Sequence, residues 1–128
     1  MNNFTTKQMS DLIYDKLVEL KDEVVLQNPS KESIFPCRVL QTPIESIRKT
    51  NNAMPVLKTF QIVIEHWCSK QRECMDMSNK TDEKLREYNL IRTNASQIIF
   101  DDITKKNRQI VTYEVRYNLL TNAFEVIK

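Results

Sequence analysis

The chain has 128 residues, of which 28% are charged, with a formal net charge of +2 and no glycine. The missing glycine excludes a Walker-type phosphate loop, a dinucleotide-binding fingerprint, a G-x-S-x-G nucleophile elbow and an EF-hand loop, each of which needs a backbone shape or close approach that glycine alone supplies at low cost. Residues 1–64 carry 8 basic and 7 acidic side chains and residues 65–128 carry 11 and 10, so neither half reads as a basic arm for nucleic acid.

The length suits a single domain over 1–128 with a core of its own. Three cysteines, Cys37, Cys68 and Cys74, follow an opening with no leader-like pattern, so free thiols in a reducing compartment are expected. No apolar run reaches the roughly 18 residues of a membrane span, and no membrane contact is expected.

Asp11 to Leu26 reads as a helix, with Leu12, Ile13, Leu17, Leu20 and Val24 at three- and four-residue steps. Thr6 or Ser10 is its expected cap, Phe4 its expected staple, and Asn28-Pro29 its stop, because the residue before proline avoids the helical region. A short strand, Cys37 to Gln41, is bracketed by Pro36 and Pro43 and is expected at or near a sheet edge. The polar stretch from Ile44 to Val56 reads as a long mobile loop or an arm extending a hairpin. Leu57 to Trp67 alternates Phe60, Ile62 and Ile64 with Gln61, Val63 and Glu65, which predicts a strand.

A second helix is predicted from Ser69 to about Tyr88, with Cys74, Met77, Thr81, Leu85 and Tyr88 as its apolar stripe and Asn89 as a left-handed stop. Asp76–Lys80 and Asp82–Arg86 have the spacing of helical ion pairs. Strands follow at Gln97–Asp102, Gln109–Asn118 and Ala123–Ile127, joined by Lys105-Lys106-Asn107 and by Leu120-Thr121-Asn122. The predicted class is α+β: a single, mainly antiparallel sheet flanked by two helices in the order α-β-β-α-β-β-β.

No constellation compels chemistry. His66, Cys68 and Cys74 offer three zinc donors without a paired C-x2-C or an obvious fourth ligand. Cys68 with His66 as base lacks a group to orient the histidine and an oxyanion loop. Strand-end and core roles explain these three residues more simply. Asp101-Asp102 face opposite sides of a strand and shape a hairpin more readily than they share a proton. Trp67, Tyr113 and Tyr117 resemble a base-stacking platform, but the basic patch that would accompany it is missing. No catalytic residue, cofactor or metal is therefore expected.

Four strings do suggest a family. Phe35-Pro36-Cys37-Arg38-Val39, the strand Phe60–Trp67, the segment Tyr113–Asn118 and the end Leu120-Thr121-Asn122-Ala123-Phe124-Glu125 resemble a tail terminator of tailed bacteriophages, also called a tail completion or minor tail protein. The resemblance follows element order over nearly the whole chain. It implies a structural virion protein with no catalytic residues. Copies would form a homo-oligomeric ring, commonly a hexamer, assembled in the host cytoplasm. The ring would cap the tail tube protein and meet the head-tail connector or stopper, and DNA would pass through its lumen without specific binding. Another neck or head-completion protein, and a small nucleic-acid-binding domain, are the alternatives. Such tail proteins often carry glycine at the turn where Leu120 stands. The expected interface residues are Arg48, Lys49, Asn51 and Asn52 in the 44–56 segment and Asp101, Asp102, Lys105, Lys106 and Arg108 in the 101–108 hairpin, together with exposed strand edges.

Overall fold

Strict alternation over two long segments builds the spine of the molecule. The structure, a computed structural model, describes residues 4–26, 28–30, 32–51 and 54–127. Its elements are α1 (Thr6–Val18), β1 (Glu23–Val25), β2 (Cys37–Leu40), β3 (Ile44–Asn51), β4 (Met54–Cys68), α2 (Gln71–Leu85) with a 3₁₀ turn at Arg86–Tyr88, β5 (Ile91–Ala95), β6 (Ile99–Asp101), β7 (Lys106–Asn118) and β8 (Ala123–Glu125). β4 and β7 run antiparallel from Leu57–Asn118 to Cys68–Asn107 without a slip. The register sets Phe60 beside Val115, Ile62 beside Tyr113 and Ile64 beside Val111 on one face. Gln61–Glu114, Val63–Thr112 and Trp67–Arg108 fall on the other.

Both helices cover the first face. Met9, Ile13 and Leu17 of α1 and Leu85 of α2 join Phe60, Ile62, Ile64, Val111, Tyr113 and Val115 in one buried cluster. At about 25 cal/mol per Å² of apolar surface, burying side chains of this size contributes roughly 1.5–3 kcal/mol each before entropy is counted. A smaller cluster of Cys37, Val39 and Trp67 lies on the opposite face, with Val25 and Phe35 against it.

The predicted class holds: α+β, one mainly antiparallel sheet, two helices. The sheet is mixed, because β1 pairs with β2 in parallel, and among the described residues it has eight strands. Three of them, β1, β3 and β5, are additions to the expected order.

The first helix starts earlier and ends sooner than its periodicity suggests. Thr5 is the cap: its Oγ1 accepts from Gln8 N, and Gln8 Oε1 accepts from Thr5 N in return. Phe4 does not staple the first turn. It stacks on Tyr117 at 4.5 Å and meets Phe60 and Phe124 edge-on. The helix stops at Val18, and Lys21 takes a left-handed φ of 71°. Val24 and Val25, counted above in the helix, pair with Arg38 and Val39. β-branched residues gain more from a half-buried strand than from a further helical turn.

β2 is an interior strand between β1 and β4, with all four residues buried. The prolines beside it end the strand without placing it at an edge. The 44–56 stretch is the arm alternative: β3 pairs with β4 from Ile44–Gln61 to Asn51–Met54. Its side chains are all exposed, which is why composition alone reads as loop. The two expected strand starts, Gln97 and Gln109, miss in opposite senses: β6 is only Ile99–Asp101, and β7 already starts at Lys106. The connecting turn is therefore 102–105, with Lys106 and Asn107 inside β7.

Candidate interaction surfaces

The two groups of expected interface residues lie at opposite ends of the sheet. β3 flanks the first half of β4, on the side away from β7. β6 flanks the first residues of β7, on the side away from β4. Because β4 and β7 are antiparallel, the β3 arm lies toward Met54 and the β6 hairpin toward Cys68, a span of roughly 45 Å at about 3.3 Å per residue.

On the arm, Arg48, Lys49 and Asn51 are exposed, and Asn52 lies outside the described residues. Ile44, Ile47 and Met54 stand exposed beside them at 55%, 54% and 49%. The pairing with β4 shifts register on either side of Lys49, and Arg48 Nε donates to Thr59 Oγ1 at 3.1 Å. A bulge carrying cations blunts indiscriminate strand addition along that edge. Lys58, buried against Glu45 Oε2 at 2.9 Å and Phe4 O at 3.0 Å, fixes the root of the arm to the start of α1.

The hairpin end is organised differently from the expectation. Asp101 Oδ2 accepts from both Thr104 N and Thr104 Oγ1 at 2.8 Å, so this carboxylate is used within its own turn. Those bonds hold its pKa below the ordinary aspartate value. Lys105 takes a left-handed φ of 59°. Lys106 donates to Ser69 Oγ at 3.2 Å and lies over the Phe35 ring. Arg108 lies over the Trp67 ring at 5.4 Å, with Glu65 Oε1 4.0 Å from its guanidinium. Lys106 and Arg108 thus work inside the molecule, whereas Asp102 and Lys105 are exposed. Ile99, Phe100 and Ile103 are exposed here too, at 51%, 53% and 77%.

The other candidate constellations are spent on packing. Tyr113 and Tyr117 face the helices and Trp67 faces the opposite side, so the three rings form no common platform. Tyr113 donates its hydroxyl to Asp82 Oδ1, and Arg92 grips the same carboxylate. Asp82 therefore pairs with Arg92 and not with Arg86, and among the described residues Asp76–Lys80 makes no ion pair. A surface network of Lys16, Glu19, Lys84 and Glu87 ties the two helices instead.

His66 sits fully buried under α2, and its Nε2 is 2.9 Å from Thr81 Oγ1. Burial, reinforced by the Arg38 guanidinium, pulls its pKa down to about 3. Cys68 and Cys74 are buried nearby, with Sγ atoms 2.8 Å apart. Among the described residues, no three of His, Cys, Asp and Glu converge as metal ligands would. Among them, too, no helix is long and apolar enough to cross a membrane.

Sequence reasoning missed Arg38 and Asp22. Arg38 has no exposed surface; its Nη1 donates to Asp22 Oδ2 at 2.9 Å, its Nε to Thr81 Oγ1 at 2.8 Å and its Nη2 to Met77 O at 3.1 Å. The signal was present: alternation within Cys37–Leu40 puts Arg38 on the same face as Leu40, so a charge had to enter the core. A scan against protein-family models finds no match for this chain, and a search of curated proteins finds none either.

Proposed function

We propose that this chain is a structural virion protein of a tailed phage, a tail terminator whose copies form a ring that caps the tail tube and meets the head connector. One observation carries the reading beyond the sequence resemblance. Two apolar, charged surfaces occupy opposite flanks and opposite ends of one sheet: Ile44, Ile47, Arg48 and Lys49 on the arm, and Ile99, Phe100, Asp102 and Ile103 on the hairpin. Different surfaces meeting between copies make a head-to-tail contact, which closes into a ring or grows into a filament. The arm offers Arg48 and Lys49 and the hairpin offers Asp102 beside the exposed Lys105, so a contact of Asp102 with the arm of a second copy would set register and orientation. Two-fold dimerisation would instead require one self-complementary patch.

The test combines light scattering of the purified chain, alone and with tail tube protein, with electron microscopy of virions carrying a tagged copy. The expected result is a closed oligomer in the presence of the tube and a tag at the head-proximal end of the tail. A chain that stays monomeric with the tube present and never enters particles overturns the reading.

A further inference from the structure

We propose that Cys68 and Cys74 are an oxidisable pair that closes into an intrachain disulfide between the end of β4 and the first turn of α2. The inference is independent of the assembly reading.

Cys68 is the last residue of β4, and Cys74 lies in the first turn of α2, separated from it by a tight, exposed connection at Ser69 and Lys70. Their Sγ atoms are 2.8 Å apart, closer than non-bonded sulfurs normally settle and within about 1 Å of the disulfide length of about 2.05 Å. Met77 Sδ is 3.3 Å from Cys68 Sγ, and Ile98 packs against the group. Cys37 is on the other face of the sheet, beside Val39 and Trp67, so the pairing is unambiguous.

The two thiols are inequivalent. Cys68 donates its S–H to Cys74 Sγ, which raises the Cys68 pKa, with burial adding to the rise. The same bond lowers the Cys74 pKa against the opposing effect of burial. Because Cys74 Sγ accepts the Cys68 S–H, oxidation starts at Cys74 and Cys68 resolves it. Both are fully buried, so a small neutral oxidant arrives when the first turn of α2 opens. Lys70 at the cap makes no side-chain bond to that turn, and opening has to release Ser69 N from Glu73 Oε1 at 3.1 Å and Ser69 O from Asn107 Nδ2 at 3.0 Å.

With hydrogen peroxide as the oxidant, the Cys74 thiolate attacks one peroxide oxygen, the O–O bond breaks, and hydroxide leaves. Cys74 is then a sulfenic acid. The Cys68 sulfur attacks Cys74 Sγ, an S–S bond forms, and the sulfenic oxygen leaves as water after taking up the Cys68 proton. In total, two thiols and one peroxide become one disulfide and two waters. The sulfurs lose two electrons and the peroxide gains them.

The test uses the full chain, treated with hydrogen peroxide in native buffer, cleared of oxidant, denatured and alkylated. Intact mass and peptide mapping are expected to show the loss of two hydrogens, alkylation confined to Cys37, and a peptide joining Cys68 to Cys74. Cys37→Ala is expected to form the same link, and the oxidised protein to melt several degrees higher until a thiol reductant reverses it. Alkylation of all three cysteines after oxidant exposure overturns the proposal. So do sulfinic acid at Cys74 without a link, and a link through Cys37 to a second chain.

Discussion

His66 Nε2 and Thr81 Oγ1 lie 2.9 Å apart in the buried layer between β4 and α2. The Thr81 hydroxyl donates to Met77 O at 3.0 Å and receives Arg38 Nε, so its remaining capacity is to accept. That assigns the proton to Nε2 of a neutral imidazole. A folded pKa near 3 against an ordinary 6.5 has a definite sign. Between those values the unfolded chain binds a proton that the folded chain refuses, so stability is whole above about pH 6.5 and falls as pH drops toward 3. Denaturant melts of the wild type and His66→Asn across that window are expected to diverge, with the wild type losing more stability on acidification. The difference isolates His66 from carboxylates such as Asp101, whose own depressed pKa acts lower in the range. Parallel curves would remove the assignment.

The same layer predicts an asymmetry around Arg38. Asp22 is about a third exposed, but its partner has no exposure at all. Removing the carboxylate strands a guanidinium that cannot reach water. Asp22→Ala is expected to cost about 2–4 kcal/mol, discounted from the fully buried case because Asp22 itself is partly hydrated. Adding Arg38→Met should recover part of that loss, since the double variant leaves no buried charge at this site. Urea melts of the two variants decide it, and a double variant weaker than Asp22→Ala alone would contradict the mechanism.

The parts of the fold that were legible in the sequence share one physical property. β4, β7 and α2 each bury one face more deeply than the other, so burial writes itself into period two or period 3.6. The αL stop at Asn89, with φ 64°, was legible for a local reason, the tolerance of asparagine for that region. What escaped were elements whose identity is decided by a neighbour. β3 has no buried side chain, so its only evidence of being a strand is the hydrogen bonding to β4. β1 is three residues long and exists because Val24 and Val25 find β2. The interface residues show the same limit. Arg48 and Lys105 look alike in composition to Lys106 and Arg108, and only the ring positions of Phe35 and Trp67 reveal which cations are occupied.

That distinction redirects the interface mutagenesis. Lys49→Glu on the arm and Asp102→Lys on the hairpin alter exposed charges at the two ends of the sheet. If the arm of one copy meets the hairpin of the next, each single reversal is expected to weaken association by several-fold, and the pair together to restore it. Neither should move the melting temperature of the isolated chain by more than about 1–2 °C, the effect of a surface change of roughly 0.5 kcal/mol. Arg108→Glu, by contrast, removes the cation over Trp67 and is expected to destabilise the fold itself. Sedimentation velocity and thermal melts separate the two effects. Additive losses in the double variant would show that these residues do not face each other.

A chain without glycine must make its left-handed turns from other residues, and among the described residues four do so: Lys21, Asn89, Lys105 and Asn122. The asparagines bear this cheaply, because their short amide bonds locally and eases the αL region. Asn122 thereby closes the β7–β8 turn, where Leu120 needs no special conformation. The lysines have no such relief, and a β-carbon in that region costs about 1–2 kcal/mol. Replacing Lys105 with glycine removes the clash and restores freedom to the unfolded chain, which opposes the gain by roughly 0.5–1 kcal/mol. Lys105→Gly is therefore expected to be neutral to stabilising by up to about 1 kcal/mol, and Lys105→Ala neutral or worse, because alanine keeps the β-carbon. Chemical denaturation of both variants orders them. An alanine variant more stable than the glycine variant would mean that the 102–105 turn relaxes to another conformation once its lysine is gone.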